Sequence, residues 1–167
     1  MIEVVIDSIR ISLISQHRIV MLRDVDGERR LPIWIGPCEA EAITIELQDV
    51  EIARPVTHDL LKNIIEELGG TVSHILINEL REQVFYARLF VDMDGNMMEI
   101  DCRPSDAIAV AVRSKVPVFV DESVMDEAGI LPEPDIEEET EGEGSEKLDA
   151  FKDFVDTLDF DDFEGDE

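Results

Sequence analysis

Two stretches, "GPCEAEAI" at 36–43 and "RPSDAIAV" at 103–110, are built to one plan. Pro37 matches Pro104, Cys38 matches Ser105, Glu39 matches Asp106, Ala40 matches Ala107 and Ala42 matches Ala109. Each stretch follows an Asp-Gly pair, Asp26-Gly27 or Asp94-Gly95, by nine or ten residues. The plan has a physical reason. Proline suits the first position of a helix, where its missing N–H costs nothing. An acid in the first turn meets the positive end of the helix dipole. Small alanines let a helix lie close on a sheet. A strand-to-helix corner made twice restricts the chain to an internally duplicated β-β-β-α unit.

The rest of the pattern fits two such units. Residues 2–14 alternate apolar and polar, the period of a strand. "RIVMLRDV" (18–25) and "RRLPIWI" (29–35) follow as strands joined at Asp26-Gly27, a hairpin signal because glycine tolerates positive φ. Pro32 marks an edge or a bulge, and Trp34 is expected to anchor the core. A helix then runs from Pro37 to about Gln48. The second copy reads as strands at 71–80, 83–91 and 97–102, with a helix over about 106–115 capped by Ser105. Between the copies, "THDLLKNIIEELGG" predicts a helix with Thr57 at the N-cap and Gly69-Gly70 at the end. Its Leu60, Leu61, Ile64, Ile65 and Leu68 form one apolar stripe. "PVFV" (117–120) and "ESVMDEAG" (122–129) add a short strand and a short helix. The fold class is α+β, with duplicated β-β-β-α units forming mixed or antiparallel sheets, two short ones, packed with helices. Such sheets leave edges, and a homodimer would cover them.

Charge divides the chain. Residues 133–167 hold 17 acidic and 2 basic residues, so they carry −15 of the formal net charge of −27. The expected organisation is a domain at 1–131, an acidic disordered linker at 132–146, and an acidic tail at 147–167 with a short amphipathic helix. In the tail, Leu148, Phe151, Phe154 or Val155, and Leu158 fall at helical spacing. They suit a helix that folds back, or a ligand, within 147–163, for a groove on another protein. The first 132 residues are themselves acidic, 24 acids against 12 bases. That balance disfavours tracking of phosphate backbones and favours cationic partners or divalent metals. Cys38 and Cys102 are too few for a disulfide framework. The start lacks a basic leader, and no apolar run nears the roughly 20 residues that span a bilayer. The expectation is a cytoplasmic protein with no membrane segment.

Several residue types carry chemistry. His58 and Asp59 are neighbours, but adjacent helical residues do not face each other. The simpler reading has Thr57 capping, Asp59 complementing the dipole, and His58 exposed at the helix start. Glu39, Glu41, Asp101 and Asp106 lie near the two corners. If the copies pack about a pseudo-twofold axis, these acids would meet and hold Mg²⁺ or Mn²⁺, as phosphodiester hydrolysis often requires. Against that stands ion pairing with Arg54 and Arg103. Cys38 is better read as packing or capping than as a nucleophile, because Glu39 beside it opposes a thiolate. His17 and His74 read as ordinary strand residues. The arginines Arg18, Arg23, Arg29, Arg30, Arg54, Arg88 and Arg103 would make one basic patch only if they cluster.

In order along the chain, "LPIWIGPCEAEAITIEL", "RPVTHDLL" and "DCRPSDAIAVAVRSKVPVFV" resemble the bifunctional nuclease (BFN) domain family of bacteria and plants. The resemblance covers about residues 1–130, and the acidic tail resembles tails on some bacterial members. It implies an α+β fold with internal duplication, a dimer, and a nuclease acting on RNA and DNA. On the matching motif positions it places Glu39, His58, Asp59 and Asp106 as catalytic candidates and Arg54 and Arg103 as substrate-binding ones. It assigns no metal ligand. The alternative from charge alone is a non-enzymatic dimeric regulatory or adaptor module whose tail binds a partner.

Overall fold

A computed structural model describes residues 1–12 and 17–132 of the chain. The tail at 147–167, nearly all of the expected linker at 132–146, and the end of the first expected strand lie outside the described residues. The elements come in the order β1 (Ile2–Ile11), β2 (Arg18–Asp24), β3 (Arg30–Ile35), α1 (Pro37–Leu47), α2 (Thr57–Glu67), β4 (Gly70–Arg81), β5 (Val84–Met93), β6 (Asn96–Cys102), α3 (Pro104–Ser114), β7 (Val118–Val120) and α4 (Glu122–Ala128). The class is α+β, as the alternating and helical periods require. The twofold recurrence of three strands and a helix is compatible with a duplicated unit.

The strands form one sheet, not two, in the order β3-β2-β1-β7-β4-β5-β6. The short β7 is the reason. It pairs antiparallel with β1, Val4 opposite Val118, and parallel with β4, Ile75 opposite Val118. Three apolar residues thus weld two antiparallel meanders into a single mixed sheet, with β1 and β4 pointing in opposite directions. The sheet curls. The end of β3 and the turn between β4 and β5 line one depression, although β2, β1 and β7 lie between them.

The turns show which local signals acted. Asp94 and Gly95 join β5 to β6 with φ of 52° and 87°, the left-handed pair a tight hairpin needs. Glu82 and Gln83 do the same between β4 and β5, φ 51° and 64°, without any turn-favouring residue. Asp26-Gly27 lies in a wider loop, and Gly27 is not left-handed. Its glycine is needed for space, because a Cβ there would sit 2.8 Å from the Asp24 carboxylate. That buried carboxylate accepts the Asp26 N–H at 3.0 Å and faces the Arg29 guanidinium at 3.4 Å.

The core is centred on α3. Pro104, Ser105, Ala107, Ile108, Ala109, Val110, Ala111 and Arg113 are all buried, so this helix is enclosed on nearly every side. It packs on β4 and β5 and on both α1 and α2. Its alanines give the close approach the sequence suggested. Leu22, Leu31, Ile43, Ile75, Ile77 and the helix's own Ile108 are fully buried, each contributing about 1.5–3 kcal/mol of apolar transfer energy. Trp34 is not among them. Ile33 and Ile35 point into the core, so strand alternation turns Trp34 outward, where it is 62% exposed. The stripe on α2 is also mostly outside: Ile65 is buried, whereas Leu60, Leu61, Ile64 and Leu68 are exposed. Among the described residues no helix is long and apolar enough to cross a membrane.

Candidate functional site

Both proline corners start helices at the proline itself. The N-caps are Gly36 and Arg103, and neither corner has a side-chain cap. Ser105 therefore does not cap α3; it is buried one position inside it. Cys38, at the same position of α1, is exposed and caps nothing. Glu39 and Asp106 take the third helical position of their respective helices, and there the two corners meet.

Arg103 joins them. Its Nε donates to Asp106 Oδ2 at 2.7 Å, and its Nη2 donates to Asp106 Oδ1 at 2.9 Å and Glu39 Oε1 at 2.8 Å. Its Nη1 makes no bond among the described residues, and the side chain is 67% exposed. The hydrogen bonds to Asp106 and Glu39 raise the guanidinium further above its ordinary pKa. Burial works to raise the Asp106 carboxyl, but Arg103 and His58 outweigh it and hold Asp106 below the usual carboxylate range.

His58 completes the cluster from α2. It is buried, 8% exposed, not exposed as its place at a helix start suggested. Its Nε2 lies 3.3 Å from Asp106 Oδ1. Its Nδ1 is buried and has no hydrogen-bond partner among the described residues. A buried unpaired polar atom costs about 1–3 kcal/mol, so its retention asks for a reason.

Asp59 belongs to a different arrangement. The N-cap of α2 is Val56, not Thr57, and the Val56 N–H donates to Asp59 Oδ2 at 2.8 Å. Asp59 Oδ1 accepts from Arg113 Nε. Burial would raise this carboxyl, but the Val56 N–H and Arg113 hold it below its ordinary value. Arg113 is buried, and it also donates to the carbonyls of Ala109 at 2.9 Å and Ala42 at 3.0 Å. One side chain thus fastens α1, α2 and α3 together beneath the cluster. The sequence reading passed over it. The signal was present: an arginine at the end of the otherwise apolar run "AIAVAVR" must either escape to solvent or find acceptors.

Of the six expected site residues, Glu39, His58, Arg103 and Asp106 come together, Asp59 sits beside them in a structural role, and Arg54 stays out. Arg54 is exposed and forms no ion pair with these acids. The arginines do not make one patch. Arg29 pairs with Asp24, Glu122 and Asp126, Arg23 and Arg30 with Asp7, and Arg88 with Glu99.

Three depressions converge on Arg103. One of about 420 Å³ is lined by Cys38, Glu39, Glu41, His58, Arg103 and Asp106. A more apolar one of about 630 Å³, between α2 and β6, includes His58, Leu61, Phe85, Ile100, Arg103 and Asp106. The third, about 270 Å³, runs to Trp34. The expected Mg²⁺ or Mn²⁺ does not fit the donor set. Among the described residues no group of three or more His, Cys, Asp or Glu side chains is placed to hold a metal. The Arg103 guanidinium lies between Glu39 and Asp106 where a cation would have to sit. Asp101 and Glu41 face separate depressions. Cys102 is half-buried, its thiol pushed up to about 11 by burial and by the charges of Asp101 and Asp106, so it is no nucleophile at neutral pH.

Fold and cluster define a class: an α+β domain with a curled mixed sheet, whose two proline corners share an arginine and present a buried histidine. The chain belongs to the bifunctional nuclease domain family, whose model matches residues 20–133. An uncharacterized protein of Mycobacterium tuberculosis strain H37Rv is 40% identical over 162 residues, which is 96% of this chain and 97% of that protein. Bifunctional nuclease 2 of Oryza sativa subsp. japonica is 36% identical over 115 residues, 66% of this chain but 35% of the rice protein. Bifunctional nuclease 1 of Arabidopsis thaliana is 31% identical over 110 residues, 64% of this chain and 34% of its own length. The plant matches thus take in about a third of each plant protein.

Proposed function

We propose that the chain is a cytoplasmic nuclease that hydrolyses phosphodiester bonds of RNA and DNA at the corner shared by α1, α2 and α3. The observation that carries this reading is His58, buried, tied to Asp106 and left with an unpartnered Nδ1, beside an arginine with open donors. Arg103 contacts the phosphate through Nη1, Asp106 and Glu39 fix its guanidinium plane, and the imidazole of His58 moves the proton. No step is assigned to a metal, because among the described residues the side chains form no ligand set for one. The match to the plant bifunctional nucleases supports the reaction class.

The test is cleavage of labelled RNA and DNA by the purified chain, with Mg²⁺ and with a chelator. A His58→Ala/Asp106→Ala preparation made alongside controls for contaminating enzyme. Cleavage lost in the double variant is the expected result. Equal cleavage by both preparations overturns the reading.

We further propose a homodimer. Among the described residues the outer edge of β6 is unpaired, its Met98 and Ile100 are exposed, and α2 with its C-cap adds the exposed Leu60, Leu61, Ile64 and Leu68. Pairing this edge with a second copy about a twofold axis would satisfy its backbone and cover the apolar side chains. That surface equally favours the second reading, a dimeric adaptor that recruits a protein through 147–163. Deletion of those residues that abolishes a pull-down partner, with no nuclease activity in the intact chain, would establish the adaptor instead.

A further inference from the structure

Trp34 is the only tryptophan of the chain, and it stands on the outer strand β3 with 62% of its surface in solvent. No packing role accounts for it, since the neighbouring Ile33 and Ile35 already fill the core beneath. It lines the 270 Å³ depression together with Gln83, Phe85, Arg103, Pro104 and Ser105. Arg103 is common to this depression and to the one that reaches His58. From the phosphate-contacting guanidinium, one path therefore leads to the imidazole and another to an open indole face.

We propose that Trp34 and Arg103 form a subsite for one unpaired nucleotide, the base stacking on the indole and its phosphate held by Arg103 Nη1. Three features select this occupant. An exposed aromatic face offers stacking to any base, and stacking needs a base whose own face is free, which a duplex does not provide. The open N–H groups of Arg103 are complementary to a phosphate oxygen. On the outer edge of β3, Arg30 exchanges both backbone hydrogen bonds with Ile130, and Pro32, which has no N–H to pair, interrupts the edge between that bridge and Trp34, so among the described residues no strand is added beside the indole. The assignment rests on the nucleic-acid part of the function proposed above. It adds that the site takes single strands or loops, with the stacked nucleotide beside the cleaved bond.

The lone tryptophan reports on its own occupancy. Oligothymidylate added to the full chain is expected to quench its emission, and the matching duplex is expected to do so at least tenfold less effectively. Trp34→Ala is expected to weaken single-strand binding, followed by anisotropy of a labelled oligonucleotide, by about tenfold to a hundredfold. Trp34→Phe should keep most of the affinity, and both variants should melt with the parent because the side chain is exposed. Cleavage with single-strand affinity indifferent to Trp34→Ala would overturn this subsite while leaving the nuclease reading intact. Trp34-dependent binding without cleavage would do the reverse. Emission that shifts on dilution of the protein, and not with oligonucleotide, would show the indole to be covered by another protein copy and would also overturn the subsite.

Discussion

At the scale of single residues, two arginines with similar partners do opposite things. Arg113 is buried, with every acceptor it uses belonging to the helix layer. Arg103 is exposed and keeps donors to spare. Truncating Arg113 to Ala leaves the Ala42 carbonyl and one Asp59 oxygen without their donor, so a loss of about 3–5 kcal/mol in urea unfolding is expected. Arg103→Ala should change the melting temperature little and abolish cleavage. A large stability loss for Arg103→Ala with activity retained would reverse the two roles. Asp59 and Asp106 both titrate below the ordinary 3.8. A depressed native pKa stabilises the fold above that value and ceases to do so as pH falls through it. Stability should hold at neutral pH and decline from about pH 4 downward, and Asp59→Asn should flatten that decline. The cluster was half legible from sequence. The proline corners named Glu39, Arg103 and Asp106, because each has a fixed place in a helix start. The burial of His58 was not legible. Which face of α2 meets α3 is settled by packing, not by capping preference, and α2's apolar stripe pointed the wrong way.

At the scale of elements, that stripe is the informative failure. An apolar row at helical spacing normally marks the face that meets the core. In α2 the core takes only His58 and Ile65, and Leu60, Leu61, Ile64 and the C-cap Leu68 are left outside. The helix instead reaches the core through polar groups, Asp59 to Arg113 and His58 to Asp106. Its apolar row is exposed among the described residues, which is where the proposed second copy would dock. Leu60→Glu with Ile64→Glu is therefore expected to leave the far-ultraviolet spectrum and the melting temperature close to the parent, and to convert a dimer to a monomer in light scattering. If the parent is already monomeric at micromolar concentration, or if the double variant unfolds, the row is not a dimer face. Strand boundaries, by contrast, were readable to within a few residues, because alternation is a property of each segment alone. The joining of two expected sheets into one was not, since it turns on three residues of β7 whose partners are far away in sequence.

At the scale of the whole molecule the difficulty is charge. A chain of net −27 repels the phosphates its proposed site would bind. Residues 133–167 supply −15 of that total, which makes the repulsion testable apart from the site. Repulsion between separated charges is screened with a Debye length near 30 Å at about 0.01 M salt and about 3 Å at 1 M. A chain ending at Pro132 keeps the compact unit Met1–Pro132 and every residue of the cluster. It should therefore bind oligothymidylate faster and more tightly than the full chain at low salt, and the two should converge as salt rises. Both should show a shallow dependence on salt overall. Few phosphates are neutralised by the Arg103 guanidinium, so counterion release is small, and screening of the acidic surface works in the opposite sense. Anisotropy titrations across that salt range decide the matter. A steep fall in affinity would mean a basic groove beyond Arg103, which the paired arginines of the sheet do not offer. Weaker binding by the shortened chain at low salt would mean that the acidic residues assist the ligand and do not repel it, and the charge argument would have to be abandoned.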